Sequence, residues 1–196
     1  MRITGGEAAG RRFQAPGGHR VRPTGAKVRQ ALFNTLASRV QGARWLDLYG
    51  GAGSLSFEAA SRGAFAFVVE QDSQAREQIR RNLVRLAMAD RVELLPVRAE
   101  RAVSDLRQRG LRFDVIVCDP PWKTGLSPLV REGLQHLVAE DGWVVLESSA
   151  KASPVDLPGL AVAKVKRYGD TVLYYYQRRL AREEESDAGG DLSRNL

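Results

Sequence analysis

The sequence predicts an α/β fold in which a mostly parallel, doubly wound sheet ends in an antiparallel hairpin. Between residues 44 and 147, short apolar runs rich in β-branched residues alternate with stretches that repeat apolar residues at helical spacing. This alternation is typical of a parallel sheet with helices on both faces. After residue 159, two strand-like segments follow each other directly, which predicts one antiparallel strand at or near the edge of the sheet.

Each element follows from a local pattern. Five strands are predicted from apolar runs, at Trp45–Tyr49, Ala66–Glu70, Val92–Val97, Asp114–Cys118 and Trp143–Glu147. The helices between them are predicted at Ser54–Arg62, from Ser73 to about Leu86, at Arg101–Arg109 and from Pro128 to about Val138. Ser73 and Ser127 are the expected N-caps, and Gly63 is expected to end its helix in a left-handed conformation. The hairpin strands are predicted at Leu160–Lys166 and Thr171–Gln177.

Composition divides the chain into three parts. Residues 1–43 begin with a segment rich in Gly, Pro and Arg, which we interpret as an arm or hairpin and not as a core segment. A helix with Thr24 as its N-cap and an apolar stripe at Val28, Leu32 and Leu36 follows, and is expected to pack as a basic lid on the next part. Residues 44–178 form the α/β domain. Residues 179–196 have no apolar period and are expected to be a disordered tail.

Positive charge is concentrated near the N-terminus. The net charge is +7, and residues 1–44 hold nine Lys and Arg residues against one Glu. Such a basic block favours a polyanionic partner through the release of counterions, although a solvated, Arg-rich surface is the alternative. Lys27 falls near the start of the predicted helix and Arg29 off its apolar stripe, so both are expected to face a partner. The expected RNA contacts are Arg11, Arg22, Lys27 and Arg29.

Composition also disfavours several classes of protein. No apolar run approaches the roughly 18 residues of a membrane span, and the basic N-terminus lacks the apolar core of a signal peptide. The single cysteine, Cys118, cannot form an internal disulfide. The two histidines, His19 and His136, are far apart in the chain, so no metal site is expected. We therefore expect a cytoplasmic protein that binds neither a membrane nor a metal, and a monomer is the default expectation.

A glycine-rich turn is predicted directly after the first strand. In Asp47–Gly53 the glycines allow backbone amides to approach a ligand closely, as in nucleotide-binding turns. An NAD site places phosphates here and disfavours a carboxylate as near as Asp47, whereas a ligand with an ammonium group favours one. Glu70, 17 positions after Gly53, suits hydrogen bonds to both hydroxyls of a ribose. A nucleoside joined to an amino acid describes S-adenosylmethionine, which these residues favour over NAD.

The segment Asp119–Trp122, with the sequence Asp-Pro-Pro-Trp, follows the predicted fourth strand and has two alternative roles. Its prolines fix φ and remove two backbone donors. In the functional alternative, the carboxylate of Asp119 lies at the carboxyl end of a strand, where open α/β sheets bind ligands, and Trp122 offers a flat face to a base. In the other alternative, the segment is a Pro-Pro turn with a packed tryptophan.

A methyl donor nearby gives this segment a catalytic task. An exocyclic base amine is a poor nucleophile because its lone pair is delocalised into the ring. Asp119 and the carbonyl of Pro120 would accept its two N–H bonds, direct the nitrogen toward the methyl group and favour sp³ character. Trp122 would stack on the base, a contribution of about 1–3 kcal/mol. Alignment and preorganised polar groups would supply most of the rate, without a metal.

Several motifs taken together are similar to one known family. They are Gly5-Gly6, Gly10-Arg11, Arg22–Thr24, Val28–Asn34, Asp47–Gly53, Glu70, Asp119–Trp122 and Tyr168–Thr171. From Arg2 to about Gln177 the chain resembles RsmD, a family of bacterial small-subunit ribosomal RNA guanine-N2 methyltransferases within the class I Rossmann-like methyltransferases. Many amino-methyltransferases share the Asp-Pro-Pro-aromatic motif. The Arg-Pro-Thr segment and the Tyr-Gly-Asp-Thr turn narrow the resemblance to this family.

The resemblance implies a fold, a reaction and a set of ligands. It implies a seven-stranded sheet with a reversed last strand, S-adenosylmethionine as donor and S-adenosylhomocysteine as product. The implied acceptor is a guanine of 16S rRNA, within an assembling 30S particle. The residues expected to bind the cofactor are Asp47, Tyr49, Gly51, Gly53, Glu70 and Glu100.

Three positions depart from the family's pattern. Gln30 stands where the family usually has Glu, so no role of that carboxylate is carried over. Trp122 replaces the usual Tyr or Phe, which keeps the stacking face but enlarges the ring. The acidic residue that the family places near the adenine has no direct counterpart after the third strand, and Glu100 is the candidate.

Other functions remain as alternatives at this point. The nearest is an N-methyltransferase that acts on tRNA or on DNA adenine, although no segment resembles the target-recognition domain of the DNA enzymes. A non-catalytic RNA-binding Rossmann domain is disfavoured by the presence of Asp47, Glu70 and Asp119. An NAD-dependent dehydrogenase has no evident use for the Asp-Pro-Pro-Trp segment.

Overall fold

The structure, a computed structural model, describes residues 1–15 and 25–179. Its strands are β1 Arg44–Asp47, β2 Phe65–Val69, β3 Val92–Leu95, β4 Phe113–Cys118, β5 Val138–Ser149, β6 Leu160–Tyr168 and β7 Thr171–Arg178. Its α-helices are α1 Ala26–Thr35, α2 Ser54–Ser61, α3 Ser73–Leu86, α4 Ala99–Gln108 and α5 Pro128–Leu137. A short 3₁₀ helix at Ala37–Arg39 follows α1.

The seven strands form one sheet in the order β3-β2-β1-β4-β5-β7-β6. Strands β1 to β5 run parallel to one another, and β7 is inserted antiparallel between β5 and β6. The predicted α/β sheet with its reversed last strand is therefore confirmed. Because the chain proceeds in opposite directions from β1, toward β3 on one side and toward β4 on the other, a crevice forms at the carboxyl ends of β1 and β4. Sheets of this type bind their ligands there.

The ends of α2 and α3 show how local signals set the helix boundaries. Gly63 follows α2 with φ of 91°, the left-handed conformation that its position predicts. The N-cap of α3 is Asp72 and not the expected Ser73. The side chain of Asp72 accepts a hydrogen bond from a backbone amide of the first turn at 2.8 Å.

The starts of α1 and β5 also differ from expectation. Helix α1 begins at Ala26 with Gly25 as its N-cap, and the expected N-cap Thr24 lies outside the described residues. Strand β5 begins at Val138, directly after α5, although the apolar spacing places Val138 on that helix. Val138 pairs with Phe113 at the start of β4, so sheet pairing outweighs helical spacing at this position.

The helices cover both faces of the sheet and form two cores. Helices α1, α2 and α3 contribute to the core on one face, whereas α4 and α5 contribute to the other. The N-terminal arm forms a hairpin through a bridge between Arg2 and Arg12, and it buries Ile3 and Phe13 in the first core. The expectation that this segment lies outside the core is therefore wrong, since the arm shares its core with the α/β domain.

A buried carboxylate links the arm to α1 and α2. Glu58 of α2 is fully buried, and it accepts hydrogen bonds from the backbone amide and the hydroxyl of Thr4 at 2.8 and 2.7 Å. Arg62 donates a hydrogen bond to Glu58 at 2.8 Å, and the guanidinium of Arg29 lies 3.6 Å from it. Two cations and several donors therefore offset the cost of burying this charge.

The outward placement predicted for Arg29 is wrong. Only 3% of its surface is exposed, and its guanidinium donates a hydrogen bond to the carbonyl of Arg2 at 2.9 Å. Burial lowers the pKa of Arg29, while the charge of Glu58 and a hydrogen bond to it oppose that shift. Arg29 is thus a structural cation that holds the arm against α1, and it does not face an RNA partner.

Replacing Glu58 by glutamine is expected to destabilise the protein by about 3–5 kcal/mol, because the buried guanidinium of Arg29 loses its counter-charge. The free energy of unfolding, measured by urea denaturation at neutral pH, checks this value. Glu77→Gln is the matched control, since Glu77 is half-exposed on α3 and pairs with Arg81 at 3.2 Å. This control is expected to cost less than about 1 kcal/mol. Equal losses in the two variants would show that the buried ion cluster does not hold the arm.

Candidate active site

A cavity of about 780 Å³ opens at the carboxyl edge of the sheet. Its walls come from the loops that follow β1, β2, β3 and β4, from the end of β5, from the β6–β7 turn and from the start of α1. The residues with predicted site roles that line it are Asp47, Tyr49, Gly51, Glu70, Glu100, Asp119, Pro120 and Trp122. The fold thus brings the residues expected for the cofactor and those expected for the base into one cavity.

The turn between β1 and α2 is built on two glycines in the left-handed region. Gly51 and Gly53 have φ angles of 51° and 76°, which residues with a Cβ rarely adopt. Gly51 lines the cavity, in keeping with its predicted close approach to a ligand. Gly53 is instead the N-cap of α2, and a Cβ there would lie 2.7 Å from the ring of Phe57. The structure therefore gives Gly53 a conformational and packing role in place of the predicted ligand contact.

Glu70 stands beside this turn, directly after β2. Its Oε2 atom accepts a hydrogen bond from the amide of Gly51 at 2.7 Å, and its Oε1 atom accepts one from the amide of Asp72 at 2.7 Å. The carboxylate is half-buried and lines the cavity. Two backbone bonds therefore fix its orientation, while each oxygen keeps acceptor capacity for the hydroxyls of a ligand.

Asp47 is a buried carboxylate in the wall of the cavity. Its surface is 1% exposed, and its Oδ2 atom accepts a hydrogen bond from the hydroxyl of Ser56 at 3.0 Å. The pKa of Asp47 is raised to about 7, chiefly by burial and to a lesser extent by the charges of Asp119 and Glu70, whereas hydrogen bonds from Ser56 and the backbone of Tyr49 oppose the rise. A cation bound beside Asp47 would stabilise its charged form, so the site favours a positively charged group.

The segment Asp119–Trp122 leaves the sheet at the end of β4. Asp119 is half-buried and Pro120 is buried, while Trp122 exposes 44% of its surface. The carbonyl of Pro121 accepts hydrogen bonds from the amides of Thr124 and Gly125 at 3.0 and 2.9 Å, which closes a tight turn after the segment. The indole thus lines the cavity while part of it stays accessible, as a face for stacking requires.

Four neighbouring strands bring carboxylates to the same edge of the sheet. In the parallel register, Asp47 of β1 pairs with Val68 of β2 and with Val117 of β4. Val117 pairs in turn with Val145 of β5. Two positions beyond these valines along β2, β4 and β5 are Glu70, Asp119 and Glu147. Residues two apart face the same side of a strand. The cavity is therefore lined by a row of carboxylates in the order Glu70, Asp47, Asp119 and Glu147.

Comparisons with known proteins identify the family. A family model described as Conserved hypothetical protein 95 matches residues 1–177. Ribosomal RNA small subunit methyltransferase D of Escherichia coli is 31% identical over 195 residues, which span 95% of this chain and 94% of that protein. The chain belongs to the RsmD family. The solved structure of YhhF from Escherichia coli agrees, with 30% identity and a TM-score of 0.78 over 91% of this chain and 97% of that one.

Membership of the RsmD family makes the chain a methyltransferase and confirms the predicted class I Rossmann-like fold. The fold extends to more distant proteins. SMU.776, whose crystal structure contains S-adenosylhomocysteine, is 17% identical with a TM-score of 0.62, over 76% of this chain and 48% of that one. At this identity the similarity concerns the fold alone.

The cavity of this RsmD-family protein also contains residues for which no site role was predicted. Among them are Glu147 near the end of β5 and, from the β6–β7 turn, Tyr168, Asp170 and Thr171. A signal for Glu147 exists in the sequence, since it ends a buried strand in the same way as Glu70 and Asp119. No local pattern indicates that the β6–β7 turn reaches the cavity, because this depends on the pairing of β7 with β5.

The residues predicted to contact RNA occupy different environments. Lys27 is exposed in the first turn of α1, and its neighbours Gly25 and Val28 line the cavity. Arg11 donates two hydrogen bonds, both at 2.8 Å, to the carbonyls of Arg85 and Leu86 at the end of α3. These bonds tie the arm to α3. Arg22 lies outside the described residues.

The described residues, 1–15 and 25–179, hold neither a metal-binding cluster nor a membrane-spanning helix. In these ranges, no group of three or more His, Cys, Asp and Glu side chains is placed to hold a metal ion. No helix in them is long and apolar enough to cross a membrane. Cys118 is a buried free thiol at the end of β4, and burial raises its pKa. The thiol therefore stays protonated and unreactive at neutral pH.

Asp47→Asn is expected to stabilise the free protein, and more so at higher pH. The pKa of Asp47 is raised from 3.8 to about 7 in the folded protein, so folding favours the neutral carboxyl group. Wild-type stability therefore falls as the pH rises from about 4 to about 7, whereas asparagine does not titrate. Between about pH 5.5 and about pH 8, the stability difference should widen by about 2 kcal/mol.

Urea denaturation of both proteins at the two pH values measures this difference. Asp90→Asn is the control, because Asp90 is exposed and lies outside the cavity, and its difference from the wild type should be the same at both pH values. A pH-independent difference for Asp47→Asn would contradict the raised pKa.

Proposed function

We propose that this protein transfers a methyl group from S-adenosylmethionine to the exocyclic N2 amine of a guanine in 16S ribosomal RNA, and releases S-adenosylhomocysteine. The observation that carries the proposal is that one cavity is lined both by Asp47 and Glu70 and by Asp119 and Trp122. A donor on the first pair and a base on the second would bring methyl group and amine together. The name of the Escherichia coli relative supports small-subunit rRNA as the substrate class.

In the donor half, each lining residue suits one part of S-adenosylmethionine. Asp47 would pair with the ammonium of the methionine part, and Glu70 would accept hydrogen bonds from the ribose hydroxyls. The backbone of Gly51 would approach the donor closely, with the ring of Tyr49 beside it. Glu100, in the first turn of α4, would lie near the adenine. Donor binding below about pH 7 would release a proton from Asp47.

In the acceptor half, the chain supplies alignment and polar groups. The carboxylate of Asp119 and the carbonyl of Pro120 would accept the two N–H bonds of the amine, and Trp122 would stack on the base. The nitrogen attacks the methyl carbon in line with the C–S bond, which breaks with its electron pair on sulfur. The proton then leaves the nitrogen to Asp119 or to water. Alignment supplies most of the rate in such a transfer.

The RNA would approach from the side of α1. Lys27 is exposed next to residues that line the cavity, so its ammonium can meet a phosphate near the target base. Arg11 is exposed, and its guanidinium keeps donors beyond the two bonds that it makes to α3. Together with Arg22, these side chains form the proposed contact to 16S rRNA in an assembling 30S particle. We propose that the protein meets this particle as a monomer in the cytoplasm.

Mass-spectrometric mapping of modified nucleosides tests the proposal and its alternatives. Ribosomal RNA and transfer RNA from cells with and without the gene are compared position by position, and the modified nucleosides of their DNA are measured in parallel. Loss of N2-methylguanosine from one position of 16S rRNA is the expected result. A loss confined to tRNA, or a loss of methyladenine from DNA, would identify that nucleic acid as the substrate in place of 16S rRNA. Identical modification patterns in the two strains would contradict the proposed function.

Asp119→Ala is expected to lower the rate of methyl transfer about a hundredfold or more, because the amine loses its charged acceptor. Donor affinity should stay nearly unchanged, since the donor is held by the other half of the cavity. Single-turnover kinetics and calorimetric titration with S-adenosylmethionine measure the two quantities. Asp114→Ala is the control on the same strand, at its exposed opposite end. Wild-type turnover in Asp119→Ala would contradict the mechanism.

Lys27→Ala and Arg22→Ala are expected to weaken RNA binding and to reduce its salt dependence. Each lost phosphate contact should lower the slope of log K against log salt by about 1. Binding titrations at four salt concentrations give the slopes. Arg81→Ala is the matched control, because Arg81 is exposed on α3 and pairs with Glu77. Slopes equal to that of the control would remove Lys27 and Arg22 from the proposed RNA interface.

A further inference from the structure

We propose that Glu147 recognises the N1–H group of the target guanine, and so selects guanine over adenine. This inference rests on the proposed function. Glu147 belongs neither to the glycine turn nor to the Asp119–Trp122 segment, and it reaches the cavity from a different strand, β5.

The register of β4 and β5 places Glu147 beside Asp119. Val117 pairs with Val145, and Cys118 pairs with Leu146, so the next position on each strand is Asp119 and Glu147. Neighbouring strands lie about 4.8 Å apart, and residues at matched positions face the same side of the sheet. Both carboxylates line the cavity. A base held by Asp119 therefore has Glu147 as its lateral neighbour.

The Watson–Crick edge of guanine matches this arrangement. Its N2 amine and its N1–H are adjacent donors, and proteins read the exposed edges of unstacked RNA bases by hydrogen bonds. If Asp119 and Pro120 hold the N2 amine, N1–H is the next group along the same edge. An ionised carboxylate can only accept hydrogen bonds. Adenine presents an unprotonated N1 at this position, which a carboxylate repels.

The surroundings of Glu147 would strengthen a hydrogen bond from N1–H. The side chain is half-buried and its Oε2 atom is shielded from solvent. Hydrogen bonds to a charged group are stronger than neutral ones, and a low dielectric strengthens them further. Asp170 also lines the cavity but is exposed in the β6–β7 turn, where water screens its charge. Glu147 is therefore the better placed of the two to discriminate between bases.

A comparison of two bases in two enzymes tests the inference. The substrates are an RNA with the mapped guanine and the same RNA with 2-aminopurine there, which keeps the N2 amine but lacks N1–H. The wild type should prefer guanine by about a hundredfold or more in kcat/KM, because a site built for an N–H donor rejects an analogue without it. In Glu147→Gln this preference should fall at least tenfold, since the amide N–H can donate to the bare N1. The missing O6 affects both enzymes alike, so the change in preference isolates the N1 contact.

Controls separate this role from a structural one. Glu140→Gln, on the exposed opposite end of β5, should keep the wild-type preference. Glu147→Asp keeps a carboxylate and should keep the preference for guanine at a lower rate. It also provides the test if Glu147→Gln shows a lowered urea midpoint. In that case, loss of the preference in a folded Glu147→Asp protein would overturn the inference.

The remaining outcomes distinguish the two proposals. An unchanged preference in a folded Glu147→Gln protein, with guanine still methylated, would overturn the role of Glu147 alone. A wild-type enzyme that methylates no guanine would contradict the proposed function itself.

Discussion

The site depends on the parallel register of four strands. Because β2, β1, β4 and β5 pair in parallel at matched heights, the side chains near their carboxyl ends meet at one edge of the sheet. A shift of one residue in any pairing would turn that strand's carboxylate to the opposite face. The helices on both faces fix the register by burying alternate strand residues in separate cores. The chemistry at the edge is therefore determined by packing in the middle of the sheet.

The buried Glu58 extends this control to the N-terminal part of the chain. It lies in α2, the helix that begins directly after the glycine turn, and it accepts a hydrogen bond from the backbone amide of Thr4 in the arm. Arg29 of α1 lies beside the same carboxylate, and the start of α1 lines the cavity. One ion cluster thus positions both the turn proposed to bind the donor and the helix proposed to meet RNA. Displacing the arm would disturb both the glycine turn and the start of α1.

Residues whose roles follow from their own strand were predictable, and those whose roles depend on a distant partner were not. Glu70 and Asp119 were predicted because they end or directly follow an apolar, strand-like run, and Asp47 because it lies on such a run just before the glycine turn. The outward placement of Arg29 was wrong because helical spacing does not show a buried carboxylate 29 positions away in Glu58. Glu147 ends a predicted strand, but its position beside Asp119 could not be predicted, since the pairing of β5 with β4 emerges only in the folded sheet.

A row of carboxylates around one cavity costs stability in the free protein, and the proposed donor explains why the fold retains it. The raised pKa of Asp47 shows that charge is disfavoured there without a ligand. S-adenosylmethionine carries an ammonium and a sulfonium, so its proposed binding here would offset repulsion among Asp47, Asp119 and Glu70. After transfer the sulfur is neutral, so of the two positive charges of the donor the product keeps only the one on the ammonium. The carboxylates that are proposed to attract the donor would therefore hold the product less strongly, which would favour its release and the next turnover.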